Sequence, residues 1–478
     1  MFRRTKIVAT LGPATDDPAV LLGMVRAGLD LARVNFSHGS REDHKRRITL
    51  LREAAREANR PVGVLADLAG PKIRIESFVG GKVMLVEGQS FALDTSLDPA
   101  AGNDREVGCA YKDLPRDVRG GDALLLADGL IVLDVINVQG TRIECSVKVG
   151  GELSNRKGLN KQGGGLSAPA LTEKDIEDIK LASELAVDYV AVSFARDAAD
   201  IRRAQAEIRK WRGTAHVVAK IERHEAIENL SQILAVTDAV MVARGDLGVE
   251  VGHAELIGLQ KTIIQQAIAA NRVVITATQM MESMILSPVP TRAEVSDVAN
   301  AVLDGTDAVM LSAETAAGRY PVKAVAAMQE VTTGAEKYQL GNPGKVRTEG
   351  EFGNTEEAIA KAVMYTANHM RLRAIVALTE SGLTPLWMSR LRVDIPIYAF
   401  TRQVSTYGRV TMYRGVTPVL FDVTRTGGKS IQLAIFERLL AEGLVDVGDQ
   451  IILTKGDLSG VQGGTNALQI LRVVAAAD

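Results

Sequence analysis

The feature that most limits the fold of this chain is a series of short apolar runs that recur between residues 6 and 312. Each run is rich in Val, Ile, Leu and Ala, and each is followed by a segment of helical periodicity or, once, by an insertion. We predict eight strands, at Lys6–Leu11, Leu31–Phe36, Val62–Asp67, Asp188–Phe194, His216–Ile221, Ala239–Ala243, Val273–Thr278 and Ala308–Ser312. Eight strand–helix units predict an α/β fold, the (β/α)8 TIM barrel, and an open doubly wound sheet is the alternative.

Local signals agree with this alternation of strands and helices. Asp17 precedes Pro18, which is typical of a helix with an N-cap residue and proline in its first turn. Thr291 and Glu294 have the spacing of a capping box. The same five residues, Thr-Asp-Ala-Val-Met, also lead into two of the predicted strands, starting at Thr237 and at Thr306. This repetition fits a fold that is built from equivalent units.

The helical pattern stops between the third and fourth predicted strands. Short alternating runs take its place, at Lys82–Val86, Ala123–Leu126, Ile131–Val138 and Arg142–Val149. The pattern predicts an inserted all-β domain, which we place at residues 71–167 as a β-barrel lid. The catalytic barrel would then comprise residues 1–70 and 168–340. Because loops that follow barrel strands carry the active site, a domain inserted in one of them is placed to act as a lid.

Two further segments divide the chain. Three consecutive glycines, Gly163, Gly164 and Gly165, end the inserted domain, either as a hinge or as an ordinary flexible loop. A polar stretch with Gly and Pro at residues 341–354 is typical of a linker. The alternation then resumes, with strands predicted at Ala374–Leu378, Ile395–Phe400, Thr417–Phe421, Gln450–Leu453 and Leu468–Val474. These runs predict a C-terminal α/β domain over residues 341–478.

Composition and charge exclude several classes of protein. The 478 residues suit about three domains, and 46% hydrophobic with 24% charged residues is ordinary globular composition. A net charge of −2 supplies no basic field for nucleic acid or a membrane surface. Two cysteines are too few for a disulfide framework, and no apolar run reaches the ~18–20 residues of a membrane span. We therefore expect a cytoplasmic protein that binds neither nucleic acid nor a membrane.

Charged and polar side chains gather at the carboxyl ends of the predicted strands. In a barrel these ends form the face that carries the active site. The second strand supplies Arg33, Asn35 and Ser37 on one side, because successive side chains of a strand alternate. The other strand ends add Asp67, Lys72, Arg74, Lys220, Glu222, Arg244, Asp246, Thr278, Ser312 and Glu314. A solvated rim would explain one such charge, but cations and carboxylates at five strand ends favour a site.

The charges of this set favour metal-assisted phosphoryl transfer. Glu222 and Asp246 follow adjacent strands, and two carboxylates with water and substrate oxygens are the usual way to hold Mg²⁺. Five cations at the same rim call for a multiply anionic substrate, above all a phosphate. The Thr278 hydroxyl could orient a proton donor. Six histidines without the spacing of metal ligands argue against zinc.

The segments that carry these residues resemble the pyruvate kinase family, and the resemblance covers essentially the whole chain. The matching segments are Thr5–Pro13, Ala32–Gly39, Lys220–Glu222, Met241–Val249, Ala277–Met284 and Met310–Thr315. Each is weakly specific alone, but in this order, with a β insertion after the third strand, the set is highly specific. The resemblance implies a barrel, a lid and an effector-type domain. It also implies transfer of the phosphoryl group of phosphoenolpyruvate to ADP, giving ATP, and protonation of the enolate to pyruvate.

The resemblance further implies roles for individual residues. Glu222 and Asp246 would bind Mg²⁺ or Mn²⁺. Lys220 would neutralise the phosphoryl group in transfer, Arg33 would grip the phosphate, and Thr278 would belong to the route of proton delivery. The substrate would contact Ala243, Arg244, Gly245, Asp246, Thr278, Ser312 and Glu314. The nucleotide would contact Pro13, Asn35, His38, Arg74 and Lys157, and Arg74 would also take part in catalysis.

Two positions depart from the potassium-dependent pattern of the family. The monovalent-cation site of the family matches Asn35, Ser37, Asp67 and Leu68, and Leu68 stands where threonine is usual. The usual Gly-Pro-Glu is Gly70-Pro71-Lys72 in this chain. A lysine ammonium near Asp67 can take the electrostatic place of K⁺, which predicts that K⁺ is not required. A Lys72 side chain that faces the surface is the alternative.

The C-terminal domain contains a candidate effector site. Thr379, Ser381, Gly382 and Thr384 lie where a strand gives way to a helix, and backbone N–H groups in such a turn favour an anion. They match the effector loop of the family in position, and Gly464 and Thr465 match its companion loop. The resemblance implies activation by a sugar phosphate and a homotetramer. A capped helix without a ligand is the alternative.

Two other functions fit parts of the pattern. A metal-dependent lyase built on a phosphoenolpyruvate-binding barrel also uses bound Mg²⁺ and an arginine, but it needs no lid with Lys157 and releases pyruvate without ADP. A non-catalytic metabolite sensor is the second alternative. Loss of Lys220 or of either carboxylate would indicate a sensor, and all three are present.

Overall fold

The computed structural model describes residues 2–341, 352–391, 393–425, 430–456 and 464–475. Among residues 2–341, eight parallel strands close into a barrel in which each strand pairs with the next and the first pairs with the eighth. The barrel strands are Lys6–Leu11, Leu31–Asn35, Gly63–Asp67, Tyr189–Val192, His216–Ile221, Ala239–Ala243, Val273–Ala277 and Ala308–Leu311. The predicted TIM barrel is confirmed, and the open-sheet alternative is wrong.

Several barrel strands are shorter than predicted. The third and fourth begin one residue later than predicted, and the other differences fall at carboxyl ends. The second, seventh and eighth strands each end one residue earlier than the apolar runs indicated, and the fourth stops at Val192. The backbone turns sharply after these ends, where Phe194 has a φ of 55° and Thr278 a φ of 66°. Apolar residues mark where the chain is buried, but they do not mark where strand pairing stops.

Helices cover the outside of the barrel. They are Pro18–Ala27, Arg41–Glu57, Glu173–Glu184, Ala198–Lys210, His224–Glu228, Leu230–Val236, Arg244–Val251, His253–Ala269, Arg292–Asp304, Ala313–Ala316 and Pro321–Gly341, with 3-10 turns at Pro13–Thr15 and Glu282–Ile285. Both predicted helix starts are confirmed. Asp17 accepts a hydrogen bond from the backbone of Ala19 at 2.8 Å, and Thr291 and Glu294 form the reciprocal capping box. Apolar residues between strands and helices, such as Ile48, Ile179 and Ile263, form the main core.

Four aspartates form a ring at the opposite, amino-terminal end of the barrel, which we call the floor. Each stands immediately before an even-numbered strand and accepts the backbone N–H of the odd-numbered strand beside it. The four pairs are Asp30 with Ile7 at 2.8 Å, Asp188 with Val64 at 2.7 Å, Asp238 with Val217 at 2.8 Å and Asp307 with Val274 at 2.8 Å. The repeated Thr-Asp-Ala-Val-Met sequence is therefore a structural unit of the floor.

The insertion between the third and fourth barrel strands folds as a separate mixed β domain. Its strands are Lys82–Leu85, Ser90–Asp94, Glu106–Gly108, Ala123–Leu126, Ile131–Gln139, Arg142–Val149, Gly151–Ser154 and Leu159–Lys161, with one short helix at Leu114–Asp117. Six of the strands form one sheet and two form a separate pair. Phe78, Phe91 and Leu133 lie in its own apolar core. Four of these strands are missing from the sequence prediction, and three of the four have only three or four residues.

The C-terminal part of the chain is a second α/β unit. Within the described residues from 352 onward, its sheet has the order Val416–Leu420, Ile397–Thr401, Ala374–Leu378, Gln450–Gly456, Thr465–Arg472, with the last strand antiparallel. Its helices are Thr355–His369, Leu383–Ser389, Val404–Arg409 and Ile431–Ala441, with a 3-10 turn at Val410–Met412. Met412 and Tyr413 pack in one apolar cluster with Val8 and Met241 of the barrel interior. This unit therefore lies against the barrel floor.

Most of the predicted linker, residues 342–351, lies outside the described residues. The domain boundaries proposed at residues 70, 167 and 340 stay predictions. Within the described ranges, no helix combines the length and the apolar character that crossing a membrane requires.

Candidate active site

Lys220 lies at the centre of the charged cluster on the carboxyl-terminal rim. It stands at the end of the fifth barrel strand, and its Nζ is 2.8 Å from Glu222 Oε1 and 3.3 Å from Asp67 Oδ1. It also donates to Ser193 Oγ at 2.7 Å. Burial by itself lowers the pKa of Lys220, but Asp67 and Glu222 outweigh burial and hold the pKa above its ordinary value. The two carboxylates therefore favour the charged ammonium form of this side chain.

Asp67 anchors the two cations nearest to it. Its Oδ2 accepts from Arg33 Nε at 2.6 Å, while Arg33 Nη1 donates to the Thr10 hydroxyl at 3.0 Å. Burial would raise the pKa of Asp67, but Lys220 and Arg33 keep it below its ordinary value. Parallel pairing explains the convergence, because the carboxyl ends of the first, second, third and fifth strands all reach this rim.

Glu222 and Asp246 offer a site that fits a divalent metal. Glu222 Oε2 accepts from the backbone N–H of Phe194 at 2.8 Å. Burial raises the pKa of Glu222, Lys220 opposes that rise, and the charge of Asp246 adds to it. Two carboxylates whose charges repel each other in this way are hard oxygen donors suited to Mg²⁺ or Mn²⁺. In the described part of the chain no three His, Cys, Asp or Glu side chains form a metal cluster, so further ligands would be substrate and water oxygens.

Lys72 reaches this acidic pair from the beginning of the inserted domain. Its Nζ lies 3.2 Å from Asp246 Oδ1, and its side chain is 34% exposed. The sequence hypothesis placed this ammonium near Asp67. The structure pairs it with Asp246 instead, because Arg33 and Lys220 already occupy both oxygens of Asp67. Lys72 is exposed, and its ammonium contacts the carboxylate of Asp246. Its role in place of K⁺ stays a prediction.

Thr278 and Gly245 form a small polar contact between the sixth and seventh strand ends. The Thr278 hydroxyl donates to the carbonyl of Ala277 at 2.6 Å and accepts the N–H of Gly245 at 2.8 Å. Thr278 and Gln279 both have positive φ, 66° and 52°, a conformation that residues other than glycine adopt mainly where function or packing imposes it. The turn places this hydroxyl beside the backbone from Ala243 to Asp246, which starts a helix.

Arg244 does not offer its charge to a substrate in this structure. Its guanidinium donates to the carbonyls of Thr278 and Gln279, at 2.7 and 3.1 Å, and pairs with Asp297 at 2.7 Å. The side chain is buried, and these contacts fix the strained turn at Thr278. Only its backbone is available for the substrate contact that the resemblance implies.

Glu314 has a similar structural position at the end of the eighth strand. Its two oxygens accept the backbone N–H groups of Ser312, at 2.6 Å, and of Met281, at 3.2 Å. Burial raises the pKa of this carboxyl, and the two N–H groups oppose the rise. Glu314 therefore ties the eighth strand end to the segment after the seventh.

The residues expected at the nucleotide and at a monovalent cation line the outer part of the rim. Pro13 is exposed and begins a 3-10 turn, and Ser37 and His38 are also exposed. The Asn35 side chain accepts the N–H of Ser37 at 3.0 Å. Leu68 is buried, and its carbonyl accepts the Ser193 hydroxyl at 2.8 Å.

Arg74 and Lys157 lie side by side at the base of the inserted domain. An antiparallel bridge joins Arg74 to Gly158, and the N–H of Ile75 donates to the carbonyl of Lys157 at 3.0 Å. Arg74 Nη1 also donates to the carbonyl of Arg156 at 3.0 Å. Both basic side chains thus belong to the lid rather than to the rim itself.

The predicted effector loop is ordered by its own side chains. Thr379 Oγ1 accepts the N–H of Gly382 at 2.9 Å, and Ser381 Oγ accepts the N–H of Leu383 at 3.4 Å. The hydroxyls of Thr384 and Thr465 lie 2.8 Å apart, which brings the companion loop beside it. Gly464 is described next to Thr465, whereas residues 457–463 of that loop lie outside the described residues.

Sequence reasoning missed Ser193. It lies at the end of the fourth barrel strand, is 2% exposed, and links Lys220 to the Leu68 carbonyl. A signal for it was present, because Ser193 has the same strand-end position as the residues that were selected. A serine without charge did not stand out beside lysines and carboxylates.

Comparison with known proteins decides the family. A model of the "Pyruvate kinase, barrel domain" matches residues 2–325, and a model of the "Pyruvate kinase, alpha/beta domain" matches residues 357–471. The chain belongs to the pyruvate kinase family. Pyruvate kinase II of Salmonella typhimurium is 52% identical to it over 476 residues, which is 99% of both chains. The pyruvate kinase of Mycobacterium intracellulare is 41% identical over 474 residues, again 99% of both.

A solved pyruvate kinase has the same architecture. The crystal structure of the enzyme from Cryptosporidium parvum superposes with a TM-score of 0.91 at 32% identity, covering 98% of this chain and 96% of that one. As a pyruvate kinase, the chain transfers the phosphoryl group of phosphoenolpyruvate to ADP, giving pyruvate and ATP. Pyruvate kinases generally use Mg²⁺ and usually K⁺.

Proposed function

We propose that Lys220, Arg33, Glu222 and Asp246 form the phosphoryl-transfer centre of this chain. The observation that carries the proposal is the Lys220 ammonium, held 2.8 Å from Glu222 and 3.3 Å from Asp67 with only 12% of its side chain exposed. A cation that is fixed before the reaction stabilises the charge on a transferred phosphoryl group without reorganisation of its surroundings.

The neighbouring groups have complementary roles in this proposal. Glu222 and Asp246 would hold the Mg²⁺ or Mn²⁺ ion, which supplies positive charge beside the phosphate oxygens. Arg33, anchored by Asp67, grips the phosphate of phosphoenolpyruvate. Backbone N–H groups from Ala243 to Asp246 receive the substrate carboxylate, and the Thr278 hydroxyl takes part in delivering the proton to the enolate. Ser312 and Glu314 position the part of the site near Thr278.

The nucleotide is placed between the rim and the lid. Pro13, Asn35 and His38 would contact it from the barrel, and Arg74 and Lys157 would contact its phosphates from the lid. The test is a coupled assay of pyruvate formation from phosphoenolpyruvate with and without ADP. Pyruvate that appears only with ADP supports the proposal, pyruvate that appears equally without ADP indicates a lyase, and no pyruvate in either case indicates a sensor.

The balance of charges in the site supports activity without K⁺. Asp67, Glu222 and Asp246 contribute three negative charges, and Arg33, Lys220 and Lys72 contribute three positive charges in contact with them. A glutamate at position 72 would leave four negative charges against two positive charges. A bound monovalent cation would then be needed, whereas Lys72 supplies that charge from the chain itself.

Turnover in tetramethylammonium chloride and in potassium chloride, at equal ionic strength, tests this balance. The wild-type chain should be activated less than about twofold by K⁺. Lys72→Glu should lose about tenfold or more in kcat without K⁺, an effect of about 1.4 kcal/mol, and recover when K⁺ is added. The exposed Lys45→Glu variant makes the same charge change elsewhere and should behave as wild type. Strong activation of the wild type by K⁺ would refute the proposal.

A second proposal concerns regulation by a sugar phosphate at Thr379, Ser381, Gly382, Thr384, Gly464 and Thr465. The contact between Thr384 and Thr465 supports it, because two loops from different strands meet there. Titration with sugar monophosphates and bisphosphates should lower the KM for phosphoenolpyruvate. A KM that no sugar phosphate changes would leave a capped helix without a ligand. We also propose a cytoplasmic homotetramer, for which sedimentation velocity gives the subunit number.

A further inference from the structure

The segment by which the lid rejoins the barrel is held by two side chains next to the metal site. Arg223 directly follows Glu222 in the sequence, and Glu225 lies three residues after Glu222. Arg223 Nη2 donates to the carbonyl of Leu166 at 2.6 Å and to Glu225 Oε1 at 3.1 Å. The same Glu225 oxygen accepts the backbone N–H of Gly165 at 2.7 Å. The end of the lid is thus bonded to the residues that immediately follow a proposed metal ligand.

The other oxygen of Glu225 lies directly against the lid backbone. Glu225 Oε2 is buried and has no hydrogen-bond partner among the described residues. A Cβ atom added to Gly164 would lie 2.7 Å from this oxygen, which is closer than real Cβ contacts allow. Gly164 therefore allows the lid to approach the carboxylate as closely as it does. The neighbouring Gly163 differs in this respect, because a Cβ there would have no heavy atom of the described part of the chain within 4 Å.

The orientation of this junction is transmitted to the basic residues of the lid. The strand Leu159–Lys161 leads from Lys157 into the glycine segment. Lys157 is in turn bonded through its carbonyl to Ile75, next to Arg74. Tilting the lid at Gly164 would therefore move Arg74 and Lys157 together relative to the rim.

We infer that Glu225, supported by Arg223, is a positioning residue. It sets the distance of the lid from the barrel and thereby the affinity for the nucleoside diphosphate. The inference rests on the proposed nucleotide contacts of Arg74 and Lys157. Glu225 does not touch the reacting atoms in this account. Its effect passes through the backbone of Gly164 and Gly165.

The two glycines provide a matched pair of variants that tests the inference. Gly163 and Gly164 have φ values of +77° and +76°, so an alanine at either position meets the same conformational penalty. Only the alanine at position 164 meets the carboxylate of Glu225. Gly164→Ala should raise the KM for ADP about fivefold or more above that of Gly163→Ala, because small displacements of positioning groups have large kinetic costs. The KM for phosphoenolpyruvate should change less than about twofold, since its proposed contacts lie on the barrel.

Removal of the carboxylate supplies the second half of the test. In a Glu225→Ala background, Gly164→Ala and Gly163→Ala should have the same KM for ADP, because the contact that distinguishes them is gone. A purely structural role would lower thermal stability without separating the two substrates. Equal KM values for ADP in the two single glycine variants would overturn the inference.

The two possible failures are distinguishable. Absence of ADP-dependent pyruvate formation in the wild-type chain would refute the proposed function. Normal wild-type turnover, together with indistinguishable glycine variants, would refute only the role of Glu225.

Discussion

The two ends of the barrel both carry charged side chains beside the strand ends, but they use these charges differently. At the floor, Asp30, Asp188, Asp238 and Asp307 each accept a strand N–H. Asp307 is also paired with Arg390, and Asp30 with Arg3. At the rim, Lys220, Glu222 and Asp67 are bonded mainly to one another, and Asp246 has a half-exposed lysine as its partner.

The difference shows how a functional charge can be told from a structural charge. Each floor aspartate accepts a backbone N–H, and Asp30 and Asp307 also pair with a buried arginine side chain, so these carboxylates hold elements together. The rim charges balance one another around a space that a metal and an anionic substrate can enter. Arg244 and Glu314 lie at the rim, but their charges have the structural role of the floor aspartates. Their side chains are hydrogen-bonded to backbone groups.

The largest effect is expected from removing the central rim charge. Lys220→Gln should lower kcat by about 10³-fold, or about 4 kcal/mol, because a preorganised cation on the transferred group is lost. Steady-state kinetics of pyruvate formation measures this loss. The exposed Lys210→Gln variant removes the same charge from the surface and should stay within about twofold of wild type. A kcat within about tenfold of wild type in Lys220→Gln would contradict the central role of this residue.

The equivalent change at the floor should affect stability instead of turnover. Among the described residues, Arg390→Met leaves the buried Asp307 carboxylate with the backbone N–H of Val274 as its remaining partner, and about 3 kcal/mol of stability should be lost. Urea unfolding measures the loss, and the kcat of the folded variant should stay within about twofold of wild type. Arg26→Met, which breaks an exposed ion pair with Glu57, should cost less than about 1 kcal/mol. Comparable stability losses in Arg390→Met and Arg26→Met would contradict the claim that the floor ion pair stabilises the fold more than a surface ion pair.

A smaller effect is expected from the pH dependence of Glu250, which lies where the lid meets the barrel. Burial raises the pKa of Glu250 from 4.5 to about 7. Between these values the folded chain keeps a proton that the unfolded chain has released, so the free energy of unfolding falls as pH rises through this range. In Glu250→Gln the free energy of unfolding should fall less over this pH range, by up to about 3 kcal/mol, because the amide does not titrate.

Unfolding midpoints of wild type and Glu250→Gln at several pH values between 4.5 and 8 measure the difference. The exposed Glu255→Gln serves as the control for loss of a carboxylate on the surface. Identical slopes of stability against pH in wild type and Glu250→Gln would show that burial does not shift this carboxyl.

The strand positions and the composition of the rim could be predicted because they depend on local patterns. Apolar runs mark strands that are buried on both faces, and parallel pairing brings their carboxyl ends to one rim. Lys220, Glu222 and Asp67 were found for that reason. The repeated Thr-Asp-Ala-Val-Met sequence was noticed, but its role at the floor required knowing which strands are adjacent.

The direction of individual side chains could not be predicted, because it depends on residues that are distant in the sequence. Arg244 turns toward Asp297 and the carbonyls after the seventh strand, and Lys72 reaches Asp246 across 174 positions. The contact of Glu225 with Gly164 depends on a backbone conformation that no short motif specifies. The side-chain contacts of Arg244, Lys72 and Glu225 therefore had to be read from the structure.

Stabilisation by substrate tests the difference between rim and floor most directly. Binding of phosphoenolpyruvate with Mg²⁺ to the folded chain should raise the melting temperature, because a ligand that binds only the native state stabilises it. Thermal melts with and without this pair should give Arg390→Met the same increment as wild type, starting from a lower melting temperature. Arg33→Met, which removes the proposed phosphate contact, should show less than about half of that increment. A full increment in Arg33→Met, or its loss in Arg390→Met, would contradict the assignment of the rim to ligands and of the floor to stability.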